Sequence, residues 1–267
     1  MKVVLFCGGL GMRLREDEES LPKPLVKIGN MPILRHVMKY YAHFGHREFI
    51  LCLGYKAELI KQHFLNHNEL IVNDFVLSNG GRDVELLDHD DTNDWKITFV
   101  DTGLYSNIAQ RLKAVRRHVA GDEMFLANYS DGLCDLPLRE MIRFAQKQDT
   151  IATFLCVKPN LSYHFISTNG NGTVSDITDI QGSYIRINGG FYIFKQGIFD
   201  YMKDGEELLP VPFQRLAKNN QLSAYHYDGF WASMDTFKDK QLLEEMHTRD
   251  HAPWEVWKNI QAAPLNA

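Results

Sequence analysis

Val3-Val4-Leu5-Phe6-Cys7-Gly8-Gly9-Leu10-Gly11-Met12-Arg13-Leu14, almost at the start of the chain, joins an apolar run to a glycine-rich loop. Residues 3–7 form a continuous apolar run without polar alternation, as in a strand covered on both faces, and the run stops at glycine. Such strands belong to parallel sheets flanked by helices. Moving outward, Ile33, Leu34, Val37, Met38, Tyr41 and Phe44 recur at helical spacing ahead of Gly45, which predicts an amphipathic helix over 33–44. Residues 48–53 read as a second strand, 56–65 as a second helix, and 124–127 as a third strand running into Asn128-Tyr129-Ser130-Asp131-Gly132. The alternation is βαβαβ, that of an α/β protein.

The rest of the composition agrees with a globular chain. Of 267 residues 45% are hydrophobic and 12% aromatic, enough for a sizeable core, which argues against disorder or a fibrous fold. Lys and Arg number 29 against 34 Asp and Glu, so 29 − 34 = −5; this balance argues against a nucleic-acid or membrane partner and favours a small molecule, with local basic residues for a phosphorylated ligand. No apolar run approaches the roughly 20 residues that span a bilayer, and the N-terminus lacks a signal-peptide pattern, so a cytoplasmic protein is expected. Cys7, Cys52, Cys134 and Cys156 are widely spaced and form no C-x-x-C pair. They read as reduced thiols in or near the core, with a zinc site as the weaker alternative.

Residues 73–103 look like a hairpin-bearing insertion that includes the strand-like 96–100. Beyond it, 151–157, 163–167, 173–177, 183–187 and 190–194 are short strand candidates, with Asn169-Gly170-Asn171-Gly172 as a turn. The second half is therefore more β-rich and more antiparallel than the first. Without a linker or repeat, one domain over 1–267 is expected: a nucleotide-binding half at 1–135, an acceptor-binding half at 136–235 and a C-terminal helical extension at 236–267.

Ligands of open α/β sheets bind beyond the carboxyl ends of the strands. After Cys7, the glycines at 8, 9 and 11 let backbone N–H groups approach a phosphate, and Arg13 adds a charge-assisted bond. The loop is neither a dinucleotide fingerprint, since Leu14 replaces the third glycine, nor a P-loop, since no G-K-[ST] follows; taken alone it is equally well a plain turn. Pro22-Lys23-Pro24 presents a lysine on backbone fixed by two prolines, which suits phosphate, although an isolated lysine is usually solvated.

Together the loop, Pro22-Lys23-Pro24 and Ile28-Gly29-Asn30-Met31-Pro32-Ile33-Leu34 resemble the signature of the sugar-phosphate nucleotidylyltransferases. The likeness is nearest to the glucose-1-phosphate cytidylyltransferase branch and extends through Gly54-Tyr55-Lys56, Val100-Asp101-Thr102-Gly103, Arg111-Leu112-Lys113, Ser130-Asp131-Gly132, Ile187-Asn188-Gly189-Gly190-Phe191, Met234-Asp235-Thr236 and Ala252-Pro253-Trp254-Glu255-Val256-Trp257. The resemblance implies a Rossmann-like, GT-A-like fold: a mixed, mostly parallel seven-stranded sheet flanked by helices, with smaller β-structure on the substrate side. It implies a reaction in which an acceptor phosphate attacks the α-phosphorus of a nucleoside triphosphate and pyrophosphate leaves. By the same resemblance Gly8, Gly9, Gly11, Met12 and Arg13 cradle the triphosphate, Arg13, Lys23 and Asp131 are catalytic, and Asp131 and Asp235 hold Mg²⁺. Ser106, Arg111 and Asn188 contact nucleotide or substrate, Arg111 through bidentate phosphate binding, and the chain forms a homo-oligomer of nucleotide-sugar biosynthesis. Without the resemblance an Asp beside Gly is an ordinary turn residue, Arg111 lies in a basic run that reads as a solvated face, and Asn188 reads as a turn between strands.

The chain departs from that pattern where the acceptor would sit. A Gly-Arg-Phe-Gly-like segment is replaced by Asn160-Leu161-Ser162-Tyr163-His164-Phe165, and a Glu-Lys-Pro motif by Ile177-Thr178-Asp179-Ile180-Gln181-Gly182-Ser183. The reading is therefore a Mg²⁺-dependent enzyme that uses CTP and a phosphorylated small-molecule acceptor, glucose 1-phosphate or a variant, with Arg186 or His164 replacing the lost charge. A non-glucose or non-sugar acceptor is the first alternative, and a nucleotide-binding regulatory protein without catalysis the second. Met12 for the usual Thr, and Ile108-Ala109-Gln110 before Arg111, touch the nucleotide pocket. The cytidylyltransferase-like C-terminal segment favours cytosine over uracil or thymine there.

Overall fold

A computed structural model describes residues 1–9, 21–66, 74–87, 94–160, 164–182 and 184–258. Its centre is a seven-stranded sheet of β1 (Val3–Phe6), β2 (Glu48–Leu53), β3 (Lys96–Asp101), β4 (Met124–Tyr129), β5 (Ala152–Val157), β6 (Ile187–Lys195) and β7 (Leu222–Tyr227), in the order β7-β5-β6-β4-β1-β2-β3. Only β6 runs against its neighbours; every other pairing is parallel. One sheet thus draws strands from both halves of the chain, mixed but mostly parallel as expected.

The apolar run that opens the chain has a simple cause. Alternate side chains of a strand face opposite sides of its sheet, and here both sides are core: Val3, Leu5 and Cys7 join one apolar cluster, Val4 and Phe6 the other. The first cluster is covered by α1 (Ile33–His43), α2 (Ala57–Leu65), α4 (Leu138–Gln148) and α6 (Phe237–Thr248); the second by α3 (Ile108–Ala114), a helical turn at Arg116–Val119 and α5 (Val211–Lys218). Smaller pieces flank the sheet. Phe75–Ser78 pairs with Asp83–Leu86, His164–Thr168 with Val174–Asp179 across the Asn169–Gly172 turn, and Gly132–Cys134 with Trp231–Ser233. Among the described residues no helix is long and apolar enough to cross a membrane.

Two expectations are corrected. The stretch at 96–100 is not part of the insertion: Lys96–Asp101 is an edge strand of the main sheet, paired with β2 from Lys96 opposite Glu48 to Asp101 opposite Leu53. It is exposed at both ends and half-buried between, with Ile97 and Phe99 against one apolar cluster and Val100 against the other, and its polar Lys96, Thr98 and Asp101 would suit a hairpin as well, so the sequence did not distinguish sheet from hairpin. Nor are 183–187 and 190–194 two strands; β6 starts at Ile187 and passes unbroken through Gly189-Gly190, while residue 183 lies outside the described set. Gly190, with φ 76, occupies the left-handed region directly against the Tyr129 ring, where a side chain has no room.

The C-terminal segment closes over α1. Trp254 is buried, lies against the tilted ring of Phe230 and donates its indole N–H to Nδ1 of His36 at 3.2 Å, while His36 Nε2 meets the Ile28 carbonyl at 3.1 Å. The aromatic tail therefore packs on its own core. Burial pushes His36 down to about 4, against the pull of the Ile28 carbonyl. Between about pH 6.5 and 4 the unfolded chain binds a proton at this histidine that the folded chain does not, so stability falls as pH falls through that window. Urea unfolding at pH 7 and pH 4 should differ by about 3 kcal/mol from this group. The pH slope should flatten in His36→Gln, and an equal slope in that variant would contradict the assignment.

Candidate functional site

The carboxyl ends of β1, β2, β3, β4, β5 and β7 lie along one edge of the sheet, and the start of antiparallel β6 meets them there, with Ile187 opposite Val157. Gly8 and Gly9 follow β1, Gly54 follows β2, Thr102 and Gly103 follow β3, Ser130 and Asp131 follow β4, and Asn188 begins β6. This is the edge at which α/β sheets bind ligands.

Asp131 and Asp235 are 235 − 131 = 104 residues apart in sequence. The ribbon of Gly132–Cys134 and Trp231–Ser233 joins them: Gly132 sits opposite Ser233, and the Met234 N–H donates to the Asp131 carbonyl at 3.0 Å. Asp235 is then fixed from its other side. Thr236 caps α6 in a reciprocal capping box with Asp239, and Asp239 Oδ2 also accepts the Asp235 N–H at 3.1 Å. Lys23 stands on a short 3₁₀ turn, Lys23–Leu25, whose Pro24 and Leu25 are buried. Its ammonium donates to Asp131 Oδ2 and, at 2.9 Å, to Asp235 Oδ1. Burial alone would lower the pKa of this amine, but Asp131 and then Asp235 raise it above the usual lysine range, so it is fully charged at neutral pH. Ser233 Oγ donates to Asp235 Oδ2 at 3.1 Å.

Arg111, expected to bind phosphate in bidentate fashion, is set in a network of the protein's own carbonyls. Its guanidinium is buried, not on a solvated face. Nη1 donates to the Leu53 carbonyl (3.0 Å), Thr102 Oγ1 (2.7 Å) and the Gly103 carbonyl (3.0 Å), and Nη2 to the carbonyls of Gly8 (2.9 Å) and Leu104 (3.3 Å). The side chain thus ties together the ends of β1, β2 and β3, and its terminal nitrogens are spent on the protein. A Cβ on Gly8 would run into this guanidinium, which gives that glycine a packing reason of its own. Burial lowers the Arg111 pKa, but a guanidinium remains cationic at neutral pH.

Ser106 and Asn188 are likewise engaged locally. The Ser106 hydroxyl donates to the Thr102 carbonyl. Asn188 Nδ2 donates to Tyr192 Oη and its Oδ1 accepts the Gly190 N–H at 3.0 Å, so this residue lies inside β6, beside a bulge, and not in a turn between strands. Arg186 reaches the ends of β5 and β7, with Nη2 2.8 Å from Asp228 Oδ1 and Nη1 at 3.4 and 3.3 Å from the carbonyls of Cys156 and Tyr227; His164 sits exposed on its hairpin. Gly11, Met12 and Arg13 lie outside the described residues. All four cysteines are buried and free, and burial pushes the Cys7 thiol up to about 12, so the sulfur nearest the glycine loop is no nucleophile at pH 7.

Sequence reasoning assigned no role to Thr102, Ser130 or Ser233, which support the site. Ser130 donates to the Phe6 carbonyl at 3.0 Å and so pins the end of β4 to the end of β1. The available signal was adjacency, since Ser130 precedes Asp131 and Ser233 stands two before Asp235.

With this geometry in place, the sequence family described as nucleotidyl transferase matches residues 2–239. The chain belongs to this family. It is 37% identical over 259 residues to the Bacillus subtilis protein named "Probable glucose-1-phosphate cytidylyltransferase", covering 96% of this chain and all of that one. It is 36% identical over 259 residues to the glucose-1-phosphate cytidylyltransferase of Salmonella typhimurium, covering 97% of this chain and all of that one. The crystal structure of HddC from Yersinia pseudotuberculosis superposes with a TM-score of 0.65 at 21% identity, covering 92% of this chain and 99% of that one, a likeness of fold. The chain is a nucleotidyltransferase with a Rossmann-like fold, of the sugar-phosphate nucleotidylyltransferase superfamily.

In this nucleotidyltransferase, Arg111→Met should leave several buried carbonyls without donors and cost about 3 kcal/mol in urea unfolding. Lys113→Met two residues on, where the lysine pairs with exposed Asp204, should leave the unfolding midpoint unchanged. Equal effects of the two substitutions would contradict the tying role.

Proposed function

We propose that this nucleotidyltransferase transfers CMP from CTP to a phosphorylated small-molecule acceptor, releasing pyrophosphate and giving a CDP-linked product. The observation that carries the reading is the convergence of Asp131 and Asp235 on one cation at the ligand-binding edge of the sheet, the edge at which Gly8 and Gly9 follow β1. The near full-length likeness to proteins named glucose-1-phosphate cytidylyltransferase supports CTP as the nucleotide.

Carboxylates that already share one cation, with oxygen as the only donor type, suit Mg²⁺. Asp131 and Asp235 would hold it, and when bound it supplies charge neutralisation of the triphosphate. In the transfer step an acceptor phosphate oxygen forms a bond to the α-phosphorus while the α–β bridging bond breaks and pyrophosphate leaves. Positioning and electrostatics do most of the work in such a step. The N–H groups around Gly8 and Gly9 face the triphosphate, Lys23 brings a second positive charge to the reacting phosphates, and Arg13 belongs with the leaving pyrophosphate. The acceptor enters beyond β5 and β7, where Arg186, paired with Asp228, would exchange that carboxylate for the acceptor phosphate and so supply the cation that the missing Glu-Lys-Pro motif would otherwise provide. The likeness to proteins named glucose-1-phosphate cytidylyltransferase supports a sugar 1-phosphate as the acceptor, glucose 1-phosphate or a variant of it.

Pyrophosphate release measured with each of the four nucleoside triphosphates against a panel of acceptor phosphates should show turnover with CTP, abolished by EDTA. Asp131→Asn should lower kcat by on the order of 100-fold or more while the protein still folds. Preference for UTP or dTTP, or turnover that survives EDTA, would overturn the nucleotide or metal assignment respectively.

A further inference from the structure

We propose that Lys23 is the resident cation of the carboxylate pair in the ligand-free enzyme, and that it gives up this position when a divalent cation enters with the nucleotide, carrying its ammonium to the phosphates. The inference rests on the reading of Asp131 and Asp235 as the metal-binding pair. A single nitrogen is within hydrogen-bond distance of an oxygen from each carboxylate, so both side chains point at one place, and that place holds a positive charge.

The two cations exclude one another on electrostatic grounds. With the ammonium between them the two carboxylates and the lysine sum to −1; without it two negative charges converge in a partly buried setting, their side chains 22% and 33% exposed. A divalent ion beside a retained ammonium would put like charges within a few ångströms of each other, where they repel strongly even in a partly solvated site. One of them must leave, and the structure shows which can. The aspartates sit on fixed backbone, through the Met234–Asp131 hydrogen bond and the capping box after Asp235. The Lys23 backbone is held by Pro22 and by buried Pro24, but its side chain is a flexible four-carbon stem ending in a point charge. It swings while its Cα stays in place.

A triphosphate gives the displaced ammonium somewhere to go. Metal alone has to evict Lys23 into an unsatisfied position, whereas metal with nucleotide lets it exchange two carboxylates for phosphate oxygens. Lys23 therefore makes the two ligands cooperative and keeps the aspartate pair assembled between turnovers.

Mn²⁺ serves as the probe, titrated without nucleotide and followed by electron paramagnetic resonance. Lys23→Met should bind Mn²⁺ about tenfold or more tighter than the wild type, and Asp131→Asn should abolish binding in both backgrounds. Lys23→Gln, which keeps a polar end beside the carboxylates, should show the same gain and covers the case in which Met does not fold. Binding no tighter in either neutral variant, with Asp131→Asn still abolishing it, would overturn the exchange and leave the metal reading standing. Mn²⁺ binding indifferent to Asp131→Asn would overturn both.

Discussion

One ammonium held between two carboxylates joins three segments of chain that are remote in sequence: the proline-flanked turn at Lys23, the end of β4 at Asp131 and the start of α6 at Asp235. Without it, two like charges would face one another at the edge of the sheet. The three-residue ribbon of Gly132–Cys134 and Trp231–Ser233 has little pairing energy of its own, so its register depends on what its ends can bind. The same contact links the Lys23 turn to the last α-helix among the described residues. That is why a site assembled from residues 23, 131 and 235 can be rigid before any substrate arrives.

Arg111 plays the complementary part on the other side of the glycine loop. Lys23 holds side chains together, whereas Arg111 holds backbone: carbonyls from the ends of three neighbouring strands share its guanidinium. Parallel strands leave such carbonyls pointing outward at their carboxyl ends, and a buried planar group with five N–H donors satisfies them at once. The positive charge that a polyanionic ligand needs is thus divided. One cation is spent on building the edge, the other sits in the site, and the net charge of −5 says nothing about either.

The layers of the fold were legible wherever burial was complete or one-sided in a regular way. Residues 3–7, 33–44 and 48–53 carry unbroken apolar runs or a helical period, and β1, α1 and β2 lie there. Residues 96–101 failed that test because an edge strand, only half-buried, keeps polar residues such as Lys96, Thr98 and Asp101 as a free hairpin does. The ribbon that joins the two aspartates has three residues on each side, too few to show any period, so the pairing of Asp131 with Asp235 came from family resemblance alone. The burial of Arg111 was not legible for a plainer reason: its basic run alone reads as a solvated face, and the carbonyls of residues 8, 53 and 103 that surround its guanidinium follow no local pattern.

The claim on which the rest turns is that Asp131 and Asp235 form one cation position at the mouth of the sheet. Anomalous diffraction from crystals grown with Mn²⁺ and CTP measures it directly. The account predicts a manganese peak bonded to both carboxylates, with the Lys23 ammonium on a phosphate. A peak held by other residues, or a Lys23 that still bridges the two aspartates with metal bound elsewhere, would contradict it.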